Sequence, residues 1–172
     1  MRIETERLFL REMTEDDFDA LYQVLADENI MQHYPSAYDE EGVRSWIRRN
    51  MERYRIFGFG LWAVCLKETG EMIGDCGVTM QSINGLIKPE IGYHIRADQQ
   101  RKGYAKEAAV AVRDWMFRNT PFQRLYSYMK DTNEASAKTA AAYGCRKVDE
   151  YPDATKGVAI VYAISKEEWS AR

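Results

Sequence analysis

Apolar side chains recur at the spacing of one helix face in four segments of the chain. Such amphipathic segments pack their apolar side against a sheet or another helix. The first follows Thr14, a favourable N-cap with three acidic residues after it, and the second carries the apolar residues between Val43 and Tyr54. The third begins after Gly103, and the fourth runs from Asn133 to a terminating glycine at position 144. The sequence therefore predicts four helices.

Seven short segments have the apolar pattern of β-strands, separated by turn residues. The turn at Glu68-Thr69-Gly70 predicts a hairpin, and a loop around Asn84-Gly85 leads to the next strand. The order β-α-α-β-β-β-α-β-α-β-β indicates an α+β fold with a mixed, mostly antiparallel sheet, in a single domain over residues 1–172. The predicted strands are residues 8–11, 60–66, 72–80, 90–95, 124–129, 146–151 and 157–164.

The turn between the fourth strand and the third helix has the features of an anion site. It reads Gln100-Arg101-Lys102-Gly103-Tyr104-Ala105. The first N–H groups of a helix have no internal partner, and the helix dipole is positive at that end. Gly103 lacks a Cβ, so a phosphate can approach the backbone closely. An ordinary basic turn into a helix is the alternative.

The composition excludes several classes of protein. With 45% hydrophobic and 30% charged residues the chain is typical of a globular protein, and its net charge of −3 argues against a general nucleic-acid binder. The longest apolar run, residues 157–164, is too short to span a membrane, and the charged N-terminus does not resemble a signal peptide. Three scattered cysteines predict reduced thiols in a cytoplasmic protein, and two histidines provide no metal-ligand cluster.

Two motifs, in order, carry a resemblance to a known family. Residues 90–95 followed by Gln100–Ala105 are similar to a strand and the Q/R-x-x-G-x-G/A acetyl-CoA turn of the GCN5-related N-acetyltransferases (GNAT), in particular the RimJ/RimL-like branch. Asn133-Glu134-Ala135-Ser136 is similar to the N-x-x-S helix start of that family, with Gly144 at the family's spacing. The resemblance covers nearly the whole chain. It implies a seven-stranded GNAT sheet with about four helices, whose strands splay apart beside the acetyl-CoA helix.

The resemblance also implies which residues hold acetyl-CoA, the expected co-substrate. The backbone amides from Arg101 to Ala105 would bind the pyrophosphate. The pantetheine arm would lie along the preceding strand, with Asn133 on its other side. The expected cofactor-binding residues are Ile95, Arg96, Gln100, Arg101, Lys102, Gly103, Tyr104, Ala105 and Asn133.

Acetyl transfer to an amine requires deprotonation of the amine, stabilisation of an oxyanion and departure of a thiolate. Glu90 is the candidate base, with a solvent-facing strand carboxylate as the alternative. A backbone N–H near Ile95 is the candidate oxyanion donor. Ala140 stands where many family members carry a catalytic tyrosine, so Ser136 is the candidate proton donor and Tyr143 the second. A helix-start hydroxyl and a core aromatic are their respective structural alternatives.

The acceptor is expected to be a primary amine, either a protein N-terminus or a small amine. Its pocket should be lined by the segment containing His33, Tyr34 and Tyr38, by the second helix, and by the loop at residues 151–155. No nucleic-acid or membrane partner is expected, and a homodimer is possible. A non-catalytic, regulatory acyl-CoA-binding module remains the alternative function.

Overall fold

An eight-stranded sheet organises the computed structural model, which describes residues 1–172. The strand order is β1-β2-β3-β4-β5-β6-β8-β7, and every neighbouring pair is antiparallel except β5 and β6. The strands are β1 Arg2–Glu4, β2 Leu8–Arg11, β3 Leu61–Leu66, β4 Met72–Ile83, β5 Leu86–Ile95, β6 Arg124–Lys130, β7 Arg146–Asp153 and β8 Gly157–Ser165. The helices are α1 Phe18–Leu25, α2 Glu40–Phe57, α3 Tyr104–Asn119, α4 Glu134–Ala142 and α5 Lys166–Ser170.

The helices cover both faces of the central strands. Every residue of β3 is buried, as is the first half of β4, so side chains on both faces of these strands are shielded from water. Helices α1 and α3 both pack on β4 and β5, while α2 packs on α1 and α4 packs on α3. No helix combines the length and the apolar character needed to cross a membrane.

The predicted order of elements is confirmed, with one strand and one helix added at the ends. The additional strand, β1, has only three residues and joins the sheet edge by pairing with β2. The additional helix, α5, begins with a capping box in which Ser165 and Glu168 exchange side-chain and backbone hydrogen bonds. Both elements are too short to give a periodic apolar pattern.

The predicted loop between the third and fourth strands is wrong. Strands β4 and β5 instead continue to a two-residue turn, because Ile83 pairs directly with Leu86. Asn84 and Gly85 occupy that turn with φ of 49° and 79°. Positive φ at both central residues is the conformation that Asn-Gly favours in a tight hairpin.

The sheet opens between its two parallel strands. Only one pair of residues, Glu90 and Tyr126, links β5 to β6. Beyond this pair the two strands diverge toward their carboxyl ends, so their facing backbone groups are not joined by a ladder. The predicted splay beside the third helix is therefore confirmed, and the opening provides the only long gap inside the sheet.

Candidate active site

A cavity of about 600 Å³ occupies the opening between β5 and β6. One wall is β5 from Glu90 onward with the turn that leads into α3, and the opposite wall is the end of β6 with the start of α4. The segment from Asn29 to Tyr34 lies across a third side. Seven of the nine residues that the sequence proposed for acetyl-CoA therefore line one space, and the other two, Arg96 and Lys102, do not.

The turn before α3 forms a cradle of backbone donors. None of the N–H groups of residues 101–106 donates a hydrogen bond to another protein atom. Arg101 and Gly103 have φ of 60° and 83°, and such left-handed residues turn successive amides toward a common centre. A positive φ is costly for arginine, and backbone strain of this kind is typical of functional turns. The cradle thus offers several donors to an anion at the helix N-terminus.

The cradle is braced by a contact that the sequence did not indicate. The Arg7 guanidinium donates to the Lys102 carbonyl at 2.8 Å and lies 4.4 Å from the centre of the Tyr104 ring. Glu107, in the first turn of α3, accepts from Arg7 Nε at 2.7 Å and from the Thr5 hydroxyl at 2.6 Å. Burial acts to raise the pKa of Glu107, but the hydrogen bonds from Thr5 and Arg7 lower it below its ordinary value.

Of the two backbone groups predicted to contact acetyl-CoA at the end of β5, that of Ile95 is available to a ligand and the Arg96 N–H is not. Arg96 N–H donates to the Ile73 carbonyl of β4 at 2.8 Å, so the predicted cofactor contact through the Arg96 amide is wrong in this conformation. Because backbone groups alternate direction along an antiparallel strand, those of Tyr93 and Ile95 point into the opening. Gln100 Nε2 donates to the Ile95 carbonyl at 2.9 Å, which makes Gln100 a support for that strand end.

Glu90 lies at the apex of the opening, partly buried. Its Oε2 accepts the Tyr128 N–H at 3.2 Å, so the carboxylate replaces the first missing ladder bond of β6. Its Oε1 makes no hydrogen bond within the protein. Burial raises the pKa of Glu90 to about 7, against smaller opposing effects of the Tyr128 N–H, Lys156 and His94. Glu90 is therefore not the solvent-facing strand carboxylate that was the alternative.

The α4 side of the cavity contains Ser136 but not Tyr143. Ser136 lines the cavity, and its hydroxyl is not used in capping, because Asn133 Oδ1 accepts the Ser136 N–H at 3.2 Å. Tyr143 is completely buried in the core and does not reach the cavity, so its predicted catalytic role does not fit this structure. The tyrosine that does line the cavity beside α4 is Tyr93 of β5, whose hydroxyl lies 3.4 Å from the Ser136 carbonyl.

The acceptor side agrees with the sequence prediction in part. His33 and Tyr34 line the cavity, but Tyr38 packs edge-on against Trp46 and Tyr151 is buried in a small cluster with Ile83. None of residues 151–155, the loop predicted to line the acceptor pocket, lines the cavity. Cations that the sequence did not single out line the wall there, namely Lys130 and Lys156.

A buried polar network reaches the same wall. Asp75 on β4 is fully buried and lies 2.8 Å from His94 Nδ1, and His94 Nε2 lies 2.7 Å from the Tyr34 hydroxyl. The second carboxylate oxygen of Asp75 accepts from Trp46 Nε1 at 3.0 Å. His94 and Glu90 lie four positions apart on β5 and so share one face of the sheet.

Comparisons with known proteins agree with this arrangement. The sequence matches the family model described as an acetyltransferase (GNAT) domain over residues 7–146. The uncharacterized protein YkkB of Bacillus subtilis (strain 168) is 32% identical over 144 residues, which cover 83% of this chain and 84% of YkkB. A GNAT-family acetyltransferase from Bacillus anthracis superposes with a TM-score of 0.82 at 25% identity, covering 97% and 99% of the two chains.

A similar fold is also found in RimL, a ribosomal L7/L12 alpha-N-protein acetyltransferase solved in complex with coenzyme A. The TM-score is 0.79 at 19% identity, covering 96% and 98% of the chains, and this likeness concerns the fold. The matched family domain includes the cradle, α3 and both strands that border the opening. The chain belongs to the GNAT acetyltransferase family.

Proposed function

We propose that this acetyltransferase binds acetyl-CoA between β5 and β6 and transfers the acetyl group to a primary amine. The observation that carries the proposal is the run of unpaired backbone N–H groups at residues 101–106, at the head of α3. A pyrophosphate is the kind of anion that such a cradle favours. RimL, with a similar fold, was solved with coenzyme A, which supports the same ligand here.

In the proposed position, acetyl-CoA contacts backbone and side-chain groups of the cavity that make no hydrogen bond within the protein. The pyrophosphate accepts from the amides of Arg101 to Ala105, and the side chains of Arg101 and Lys106 add positive charge to that end of the cavity. The pantetheine arm follows β5, so that the Ile95 N–H faces the thioester carbonyl. Asn133 faces it from α4 with a side-chain NH₂ group that makes no hydrogen bond in the protein. The arm thus takes the place of the missing sheet ladder.

Glu90 is the proposed base that makes the amine nucleophilic. A base is most effective when its pKa lies near the operating pH, and burial brings the pKa of Glu90 to about 7. The Tyr128 N–H fixes one carboxylate oxygen, and the other is free to accept a proton. The Ile95 N–H is the proposed oxyanion donor, and Ser136 is the hydroxyl placed to assist the leaving sulfur.

The charges around the cavity favour an acceptor with an anionic group. Lys130 and Lys156 line the wall on the Tyr128 side, and neither forms an ion pair with a carboxylate. Lys156 Nζ lies 4.6 Å from the centre of the Tyr128 ring, close to the proposed base. Burial first, and then both lysines, lower the pKa of His33. Such a wall repels a polyamine and attracts a carboxylate.

An acceptor screen tests the function. Acetyl-CoA is mixed with 6-aminohexanoate, hexylamine, glycylglycine or spermidine, and both released thiol and the acetylated amine are measured. We expect acetylated product, with 6-aminohexanoate preferred over hexylamine of the same chain length. Tight binding of acetyl-CoA without any acetylated amine or thiol release would instead support the non-catalytic module.

A further inference from the structure

The Asp75, His94 and Tyr34 side chains form a continuous hydrogen-bonded chain from the core to the cavity. We call these three side chains the relay. Asp75 is fully buried, whereas His94 and Tyr34 both line the cavity. The two links measure 2.8 Å and 2.7 Å. Neither the cradle nor Glu90 requires this network. A buried carboxylate is costly unless it is hydrogen-bonded, and Asp75 accepts from both His94 Nδ1 and Trp46 Nε1.

The partners determine the direction of each hydrogen bond in the relay. A carboxylate only accepts, so His94 Nδ1 carries the hydrogen that points to Asp75. In the neutral imidazole the other ring nitrogen accepts, and the Tyr34 hydroxyl donates to it. The lone pairs of the Tyr34 oxygen are left for a group in the cavity. Tyr34 is thereby prepared to accept a hydrogen bond from an amine.

Acetylation removes two protons from the acceptor nitrogen. An alkylammonium loses the first before its lone pair can attack, and it loses the second after the nitrogen has bonded to the acetyl carbon. Glu90 can take the first, but it is then protonated when the second must leave. A second proton acceptor on the same face of β5 solves this problem, and the relay supplies one.

We propose that Tyr34 is a catalytic residue that accepts this second proton, and that His94 and Asp75 are positioning residues acting through it. The proposal rests on the proposed function. As the nitrogen proton moves to the Tyr34 oxygen, the hydroxyl proton moves to His94 Nε2, and the Asp75 carboxylate stabilises the imidazolium. The carbon–sulfur bond breaks with its electron pair on sulfur, which takes a proton from the Ser136 hydroxyl as that oxygen takes one from water. His94 then returns its proton to water through Tyr34, and Glu90 releases its proton to water.

Three variants test the relay, namely Tyr34→Phe, His94→Gln and the double variant. Phenylalanine keeps the ring of Tyr34 and removes only the hydroxyl that contacts His94 Nε2. We expect kcat to fall on the order of 10²-fold in each single variant, with the dissociation constant for acetyl-CoA unchanged. The double variant should be no slower than the worse single variant, because residues that act as a unit are not additive. Tyr22→Phe, on the exposed side of α1, is the matched control.

A comparison of two amines separates the relay from Glu90. The α-amine of glycylglycine has a pKa of ~8 and the amine of 6-aminohexanoate one of ~10, so at pH 8.5 the first proton is already absent from most of the glycylglycine. The defect of Glu90→Gln should therefore shrink with glycylglycine, while the defect of Tyr34→Phe should be the same with both amines. A Tyr34→Phe defect that shrinks in parallel would contradict the proposed role.

The outcomes distinguish the two proposals. A wild-type protein that acetylates no amine in the screen refutes the proposed function, and the relay with it. An active wild type with a near-normal Tyr34→Phe variant refutes only the relay. Multiplicative effects in the double variant, with lowered melting temperatures, would show that the three side chains only stabilise the fold.

Discussion

Replacing Glu90 by glutamine should make the protein more stable and less active. Burial raises the pKa of Glu90 from 4.5 to about 7, so the folded protein resists its ionisation. This difference corresponds to at most about 3.4 kcal/mol at a pH above both values, since each pH unit is worth about 1.36 kcal/mol. Because Glu90 is partly exposed, solvent screening reduces our expectation to about 1–2 kcal/mol.

The stability difference between Glu90→Gln and the wild type depends on pH. Between about 4.5 and 7 the folded state keeps a proton on Glu90 that the unfolded chain has lost, so stability falls as the pH rises through this window. Glutamine cannot ionise and its side-chain oxygen can still accept the Tyr128 N–H. We therefore expect Glu90→Gln to match the wild type at pH 4.5 and to exceed it by about 1–2 kcal/mol at pH 8.5.

Urea unfolding at pH 4.5 and pH 8.5 measures this difference in stability. Steady-state kinetics measure the expected loss of activity. The turnover number should fall by ~10²–10⁴ if Glu90 is a general base. Glu68→Gln, at an exposed turn position, is the control and should change neither quantity. A Glu90→Gln protein that loses stability equally at both pH values would refute the burial argument. A less than about threefold loss of turnover would refute the role as base.

Three further predictions concern the rest of the site. Glu107→Gln weakens the contact through which Arg7 braces the cradle, so it should raise the dissociation constant for acetyl-CoA by about tenfold, or ~1.4 kcal/mol. Glu15→Gln, in the exposed ion pair with Arg48, is the control and should not change this constant; calorimetric titration measures both. Ser136→Ala should lower turnover by about tenfold or less without lowering the melting temperature, because its hydroxyl caps nothing. Tyr143→Phe should leave activity unchanged and should not lower the melting temperature, because the buried Tyr143 hydroxyl has no partner to lose. An inactive Tyr143→Phe enzyme would reverse these assignments. Lys156→Met should abolish the preference for 6-aminohexanoate over hexylamine in the screen while leaving the Michaelis constant for acetyl-CoA unchanged, and an unchanged preference would remove the lysine from acceptor recognition.

Local patterns in the sequence predicted most of the fold. The helix faces, the cradle and the cap at Asn133 each depend on residues within one or two turns of each other, so they are visible in a single sequence. The tight hairpin was missed although Asn84-Gly85 is a strong hairpin signal. The apolar alternation is broken before the turn by Gln81 and Ser82 and after it by Pro89. The predicted strands, residues 72–80 and 90–95, are therefore shorter at the turn than β4 and β5.

The parts of the site that were missed depend on contacts between distant segments. Arg7 and Glu107 are 100 positions apart, and Tyr34 and His94 are 60 apart. No local pattern connects such pairs, and only the strand order brings them together. The local turn pattern predicted the cradle, and the resemblance to a known family made Glu90 the candidate base. The resemblance could not predict the relay, because Tyr34 and Asp75 lie outside its motifs.

The most direct test of the cofactor site is a calorimetric titration of coenzyme A into the Gly103→Val protein. Gly103 has φ of 83°, so valine there strains the backbone, and its Cβ would lie 3.3 Å from the Arg7 guanidinium that holds the Lys102 carbonyl of the cradle. Gly70→Val is the matched control, since Gly70 has φ of 76° and open space around it, far from the cavity. We predict one coenzyme A per chain in the wild type and in the control, and at least about tenfold weaker affinity in Gly103→Val, a loss of ~1.4 kcal/mol or more. Equal affinity in all three folded proteins would contradict the placement of the pyrophosphate on this turn.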